Sequence, residues 1–177
     1  MSRFAIIMTG IVVVALGAVF VFKSNEPKEP TIGTQHANLG QTHFNSLDAK
    51  HDAYNSELPS SGPHYVQPAP WGIGTQTVQD EQFVHNEEHG GIVIAYKPDL
   101  AQDQVAKLQQ IASNLTATDS PEAIKGFKVL MFPRAKNTKP IELASWTYTL
   151  DLDHVDEQLI KTFYRQHLNK SPEPGAR

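Results

Sequence analysis

An uncharged apolar run near the N-terminus constrains this chain most. No residue from Phe4 to Phe22 carries a charge, and a helix of about 20 apolar residues spans the hydrocarbon core of a bilayer. Arg3 precedes the run, so we expect the N-terminus inside and the rest of the chain beyond a single-pass helix, on the periplasmic side of the inner (cytoplasmic) membrane. A cleaved signal peptide, cut near Ala15-Leu16-Gly17, is the alternative.

Composition excludes several classes of function. The chain has 15 Lys and Arg against 19 Asp and Glu, a net charge of -4, and phosphate binding requires a basic surface. We therefore expect no nucleic-acid partner. The absence of cysteine excludes disulfides, thiolate catalysis, Cys-ligated zinc and an acylated lipoprotein anchor. The compositional oddity that remains is a set of 8 histidines.

Two of these histidines lie in the segment His85-Asn86-Glu87-Glu88-His89-Gly90-Gly91. Residues four apart on a helix project from the same face, so His85 and His89 are spaced to grip a transition metal. Glycine is the usual residue just past a helix end, and the segment is followed by the apolar run Ile92 to Tyr96. The pattern predicts a candidate metal site on a short helical turn that leads into a strand.

The chain before this motif is irregular. Residues 24–40, with two prolines and alternating charge, are predicted to be a linker between the anchor (1–23) and an extracytoplasmic domain (41–172). Residues 41–80 are dense in turn formers, but their aromatic side chains favour an ordered loop wrapped over the core. We expect the Gly62-Pro63 turn to hold His64.

The second half has the pattern of an α+β domain, with a small mixed or antiparallel sheet covered by two helices on one side. The predicted elements, followed by a polar tail at 173–177, are a strand at 91–96, a helix at 100–115, a short helical turn at 121–125, a strand at 127–132, a strand at 141–150 and a helix at 154–168 capped by Asp153. The connection between the first two strands would be a right-handed crossover if they are parallel neighbours.

Four segments together resemble a known bacterial family, the domain of unknown function 3105. They are Tyr54-Asn55-Ser56 with Ser60-Ser61-Gly62-Pro63-His64, His85-Asn86-x-Glu88-His89-Gly90-Gly91, Ala144-Ser145-Trp146, and Ser171-Pro172-Glu173. Gly40-Gln41-Thr42-His43 matches a further Gly-x-x-His of the family, while Thr147 stands where the family usually has Gly. The resemblance covers roughly residues 40 to 174 and implies a membrane-anchored or secreted protein, but no established reaction.

The resemblance makes His64, His85 and His89 the candidate metal ligands, with His43 as a weaker fourth. Imidazole ligands suit zinc or copper. Glu88 is a candidate ligand, a carboxylate that orients a ring, or a general base beside a metal-bound water. Met131 would offer a thioether to Cu(I), although its apolar neighbours favour core packing. We interpret His36, His51, His154 and His167 as structural or solvated.

Three functions fit this pattern. The first is a non-catalytic envelope protein that binds copper or zinc. The second is a metal-dependent hydrolase, because His85-x-x-Glu88-His89 spells the inverted zinc-peptidase motif, although Gly90-Gly91 would cut its helix short. The third is a metal-free module that binds an envelope protein through Trp71, Tyr65 and the loop. The sequence leaves the oligomeric state open.

Overall fold

The structure, a computed structural model, describes residues 29–115 and 128–176, and its compact unit begins at Ile32. Within the described ranges the chain forms eight strands and three helices. The strands are β1 (Thr34–Gln35), β2 (His43–Phe44), β3 (His64–Tyr65), β4 (Gly72–Ile73), β5 (Ile92–Tyr96), β6 (Val129–Pro133), β7 (Ile141–Ser145) and β8 (Tyr148–Leu152), and the helices are α1 (Asp80–Glu88), α2 (Gln102–Leu115) and α3 (Glu157–His167).

Six of the strands form one mixed sheet in the order β1-β8-β7-β5-β6-β4. The central strand β5 pairs in parallel with β6 and antiparallel with β7, and β4 extends the sheet in parallel beside β6. The predicted α+β class and mixed sheet are therefore confirmed. β2 and β3 pair with each other in a separate two-stranded sheet.

Alternate residues of β5 point into two different cores. Ile92, Ile94 and Tyr96 pack in a cluster with side chains of α2 and α3, as the helical spacing predicts. Val93 and Ala95 face a second cluster, whose members include Phe83 and Val84 of α1 and Leu58 of the irregular region. Every residue of β5 is buried, because both faces of the sheet are covered.

The face of the sheet that carries Val93 and Ala95 is thus covered by α1 and by the ordered segment that precedes it. We predicted only a short helical turn around His85 and His89, and the structure shows a helix of 9 residues there, in addition to the two predicted helices. The irregular segment is ordered against the core as expected, with Leu58, Ser60 and Ser61 buried. The structure further resolves it into the short strands β2, β3 and β4, which are too short to produce a readable period in the sequence.

The predicted single strand at 141–150 is wrong, because the segment folds into a hairpin. β7 and β8 pair antiparallel, with Ser145 opposite Tyr148. The turn between them contains Thr147 at φ 65°, a left-handed conformation that non-glycine residues seldom adopt. Thr147 gives no turn signal of the kind that Gly, Asn or Asp provides, so the alternating pattern continues through the turn in the sequence.

The start of the last helix also differs from the prediction. Asp156, not Asp153, caps α3, and its carboxylate accepts a 3.0 Å hydrogen bond from the backbone N–H of Leu159. Asp153 and Asp156 both precede the same helical pattern of apolar residues, so the local sequence does not show which of them caps the helix. The side chain of Asp153 instead accepts a hydrogen bond from Lys139.

Both segments predicted to flank the domain contain residues that contact it. In the predicted linker, Thr34 and Gln35 form β1 at the edge of the sheet beside β8. In the predicted tail, the backbone N–H of Glu173 donates to the carbonyl of Glu88 at 3.0 Å. These are contacts of the backbone, which leave little trace in side-chain patterns.

Two further predictions, the membrane helix at Phe4 to Phe22 and the helical turn at 121–125, fall outside the described residues. In the ranges 29–115 and 128–176, no helix combines the length and the apolar character required to cross a bilayer.

Candidate metal centre

Helix α1 carries the His85 motif and is fixed at both ends. At its start, Asp80 accepts two 3.0 Å hydrogen bonds from the buried guanidinium of Arg134. At its end, His89 is the cap residue and Gly90 turns the chain at φ 86°. The predicted termination of the helix at the glycines is therefore confirmed. His89, the second histidine of the motif, lies just beyond the last helical residue, Glu88.

Asn86 and Gly91 join α1 to the irregular segment. The side chain of Asn86 makes two 2.9 Å hydrogen bonds with the backbone N–H and carbonyl of Ala69. Gly91 lies under the ring of Trp71, where a Cβ atom would come within 2.3 Å of the indole. These contacts hold the segment against the helix, so its strands have a defined position relative to His85.

The short parallel pair of β2 and β3 places two more histidines beside α1. His43 and His64 are direct partners in the register, and their Nε2 atoms lie 3.0 Å apart. The rings of His43 and His64 lie 4.9 and 5.0 Å from the ring of His85, centroid to centroid. Three imidazoles from three elements thus converge on one point.

Glu88 completes this group. Its Oε2 atom lies 3.1 Å from Nε2 of His43 and 3.1 Å from Nε2 of His64. One ligand atom from each of His43, His64, His85 and Glu88 falls within 4.8 Å of all the others. We call these four residues the histidine centre. Three imidazole nitrogens and a carboxylate are a donor set that suits zinc or copper.

Backbone carbonyls set the tautomers of two of these histidines. Nδ1 of His64 lies 2.8 Å from the carbonyl of Gly62, and Nδ1 of His85 lies 2.8 Å from the carbonyl of Tyr65. A carbonyl can only accept, so Nδ1 carries the proton and Nε2 presents a lone pair to the centre. Proteins orient metal-binding histidines in this way.

Burial favours the neutral form of two imidazoles of the centre, those of His64 and His85. It lowers the pKa of His64 to about 4, helped by the neighbouring His43 and opposed by the hydrogen bond to Gly62. Burial also lowers the pKa of His85. Because an imidazole must be unprotonated to bind a metal, protons compete weakly for these nitrogens at neutral pH.

The carboxylate of Glu88 is fully buried, and burial raises its pKa. Its Oε2 atom and the lone pair of His64 are both acceptors, so their close approach requires a proton or a cation between them. The side chain of His43 is 35 % exposed, whereas that of His64 is fully buried. Solvent therefore reaches the centre on the side of His43.

His89 belongs to a different group of residues. One ligand atom each of His89, Glu88 and Glu173 lies within 4.8 Å of the other two. Nε2 of His89 is 3.0 Å from Nε2 of His85 and 3.9 Å from Oε2 of Glu173. The structure therefore brings His43, His64, His85 and Glu88 together as one set and pairs His89 with a residue of the predicted tail.

Glu173 is the site residue that sequence reasoning missed. Its one signal was its place in the closing Ser171-Pro172-Glu173 of the family resemblance, to which we attached no role.

Met131 packs in the core cluster that contains Ile92 and Tyr96, on the α2–α3 side of the sheet, whereas its neighbours Leu130 and Phe132 face the cluster on the side of α1.

The remaining described histidines lie outside both groups. His167 is buried and donates to the carbonyl of Ile32, and His36 hydrogen-bonds the hydroxyl of Thr149. His51 contacts Glu81, and His154 is exposed. These positions agree with the structural or solvated roles predicted for them.

Comparison with known proteins identifies the family. The sequence pattern described as "Protein of unknown function (DUF3105)" matches residues 47–177. The chain belongs to the DUF3105 family. The matched range includes every residue of the two groups except His43, which precedes it. No curated protein and no solved structure matches this DUF3105 chain.

Proposed function

We propose that this DUF3105 protein binds a transition metal, Zn²⁺ or Cu²⁺, through His43, His64, His85 and Glu88, and that it does so in the bacterial envelope. The observation that carries the proposal is the convergence of three imidazole nitrogens and one carboxylate oxygen within 4.8 Å. The backbone carbonyls that orient His64 and His85 support it, since a chance cluster of histidines has no need of fixed tautomers.

The donor set favours these two ions over others. Calcium and magnesium prefer six or more oxygen ligands, and the centre supplies a single carboxylate. The chain has no cysteine, and Met131 packs in the core cluster of Ile92 and Tyr96. Without a sulfur ligand, the site suits Cu²⁺ better than Cu⁺.

The hydrolase interpretation of His85-x-x-Glu88-His89 is less well supported. That motif requires both histidines and the glutamate to act from one continuous helix. Here α1 ends at Glu88, and His89, although its Nε2 atom is 3.0 Å from that of His85, lies outside the group of four ligand atoms that forms the histidine centre. Glu88 also contacts two imidazoles through Oε2, which is the position of a ligand rather than of a free general base.

The proposal is tested by metal analysis of the full chain, purified in detergent without a histidine tag. Wild type is compared with a His43→Ala/His85→Ala double variant and with His154→Ala, which changes an exposed histidine outside the centre. We expect at least about one zinc or copper ion per chain in the wild type and in His154→Ala, and about one ion per chain fewer in the double variant. A wild type that takes up neither metal after incubation would refute the proposal.

The envelope location is a separate part of the proposal. It is supported by the uncharged run Phe4 to Phe22 and by Arg3 before it. Fractionation of cells is expected to place the chain in the inner membrane. Added protease should digest the domain in spheroplasts but not in intact cells, and a domain that stays protected in spheroplasts would refute the orientation.

A further inference from the structure

We infer that the protein has a second metal position, formed by Glu88, His89 and Glu173, and that Glu88 bridges it to the histidine centre. This inference rests on the proposed function, because Glu88 would serve both ions. The ion expected is again Zn²⁺ or Cu²⁺, held by one imidazole and two carboxylates.

The unused atom of Glu88 is the first reason. Oε2 contacts His43 and His64, while Oε1 is buried and has no hydrogen-bond partner among the described residues. A buried carboxylate oxygen without a partner is costly and requires an explanation. A second cation bound to Oε1 would supply one, and carboxylates commonly bridge paired metal ions.

His89 provides the second reason. It is buried, and its Nδ1 atom has no hydrogen-bond partner among the described residues. Its Nε2 atom lies 3.9 Å from Oε2 of Glu173, which is too long for a hydrogen bond but leaves both atoms within reach of one ion. His89 therefore offers a ligand nitrogen that is not part of the histidine centre.

The C-terminal segment is fastened so that Glu173 stays at this position. Lys128 is buried, and its ammonium group donates to the carbonyls of His89 and Pro174, each at 2.6 Å. The backbone N–H of Glu173 donates to the carbonyl of Glu88. One lysine thus connects the end of α1 to the segment that carries the third ligand.

Gly90 permits this approach. Its φ of 86° suits glycine, and a Cβ there would come within 2.8 Å of the Cα of Asn169. The carbonyl of Gly90 accepts a hydrogen bond from the N–H of Asn169. The glycine that ends α1 therefore also lets the C-terminal segment pass close to His89.

Three protein ligands would leave a coordination position at the second ion for water or another small ligand, as at catalytic zinc sites. The histidine centre, with four ligands, would be closed. The first ion would thus be coordinated by protein ligands alone, whereas the second would keep one position for an exchangeable ligand.

The test is copper and zinc stoichiometry of the full chain, together with electron paramagnetic resonance of the Cu²⁺-loaded protein. Glu173→Gln and His89→Gln remove one ligand each. Glu157→Gln is the matched control, because the side chains of Glu157 and Glu173 are 49 % and 48 % exposed. The backbone contact of Glu173 is unaffected by its substitution.

We expect about two ions per chain in the wild type and in Glu157→Gln, and about one in Glu173→Gln and His89→Gln. The copper-loaded wild type should show dipolar coupling between two Cu²⁺ ions about 3.5–4 Å apart, and Glu173→Gln should show an isolated Cu²⁺ signal.

A wild type that binds about one ion, with the same affinity as Glu173→Gln, would overturn the second position and leave the histidine centre intact. Loss of all metal in Glu173→Gln would also overturn it, since Glu173 would then belong to a single site. If the wild type binds no metal at all, the proposed function itself fails.

Discussion

Nε2 of His64 lies 3.0 Å from Nε2 of His43, because β2 and β3 pair in parallel with these two residues in register. The hydrogen bond from Nδ1 of His64 to Gly62 leaves its Nε2 lone pair pointing at His43 and Glu88. Without a metal ion, a proton on Oε2 of Glu88 or on an imidazole nitrogen must lie between these acceptor atoms. A bound cation would take the place of that proton and attract the ligand atoms together.

Metal binding is accordingly expected to stabilise the fold. A ligand present at 100 times its dissociation constant adds about 2.7 kcal/mol to the free energy of unfolding. For a chain of this size, that corresponds to a rise in Tm of roughly 5–10 °C. Thermal unfolding with Zn²⁺ and with excess chelator measures the difference. The same rise is expected for His154→Ala, and an equal rise in His43→Ala/His85→Ala would contradict the assignment of the ligands.

Gly91→Ala should destabilise the protein because the new methyl group would meet Trp71 within 2.3 Å and the carbonyl oxygen of Asn86 at 2.9 Å. Overpacking of this kind costs about 1–3 kcal/mol. Urea unfolding measures it. Gly175→Ala is the control, since no atom lies within 4 Å of a Cβ at that position. Equal stabilities for the two variants would show that the ring of Trp71 does not lie over Gly91.

The residue that caps α3 distinguishes the predicted start of the helix, at Asp153, from the observed start, at Asp156. Asp156→Ala removes the carboxylate that accepts from Leu159 and should cost about 1 kcal/mol of unfolding free energy. Asp153→Ala removes an exposed ion pair with Lys139 and should cost less than Asp156→Ala does. Denaturant unfolding of both variants checks the order, and the reverse order would restore Asp153 as the cap.

His167 should make the metal-free protein less stable in acid. Burial lowers its pKa in the folded state below the ordinary value of 6.5. The unfolded chain therefore binds a proton that the folded chain does not, and the free energy of unfolding falls as pH drops below about 6.5. Buried His64, His85 and His89 act in the same direction.

His167→Gln isolates this contribution, because its amide retains a donor for the carbonyl of Ile32 and has no proton to gain. Urea unfolding at about pH 7.5 and about pH 5.5 should show a smaller loss of stability for the variant than for the wild type. His154→Gln, at an exposed position, should lose as much as the wild type. A loss in His167→Gln as large as that of the wild type would refute the role of His167.

The elements with strong local patterns were predictable from the sequence. Three of these patterns lie within short stretches of the chain. They are the apolar run Ile92 to Tyr96, the helical spacing from Val105 to Leu115 and the glycines after His89. The family resemblance added the candidate ligands, including His43 and His64. The hairpin turn at Thr147 was missed because its backbone conformation lacks the usual residue.

The sequence by itself determined the α+β class, the helix that carries His85 and Glu88, and the supply of imidazole ligands. Tertiary structure alone decided which ligands meet. His43 joins His64 through a two-residue strand pair, and Glu173 reaches His89 through a segment held by Lys128. Such contacts join residues far apart in the chain and depend on packing and backbone hydrogen bonds, which local periodicity does not encode.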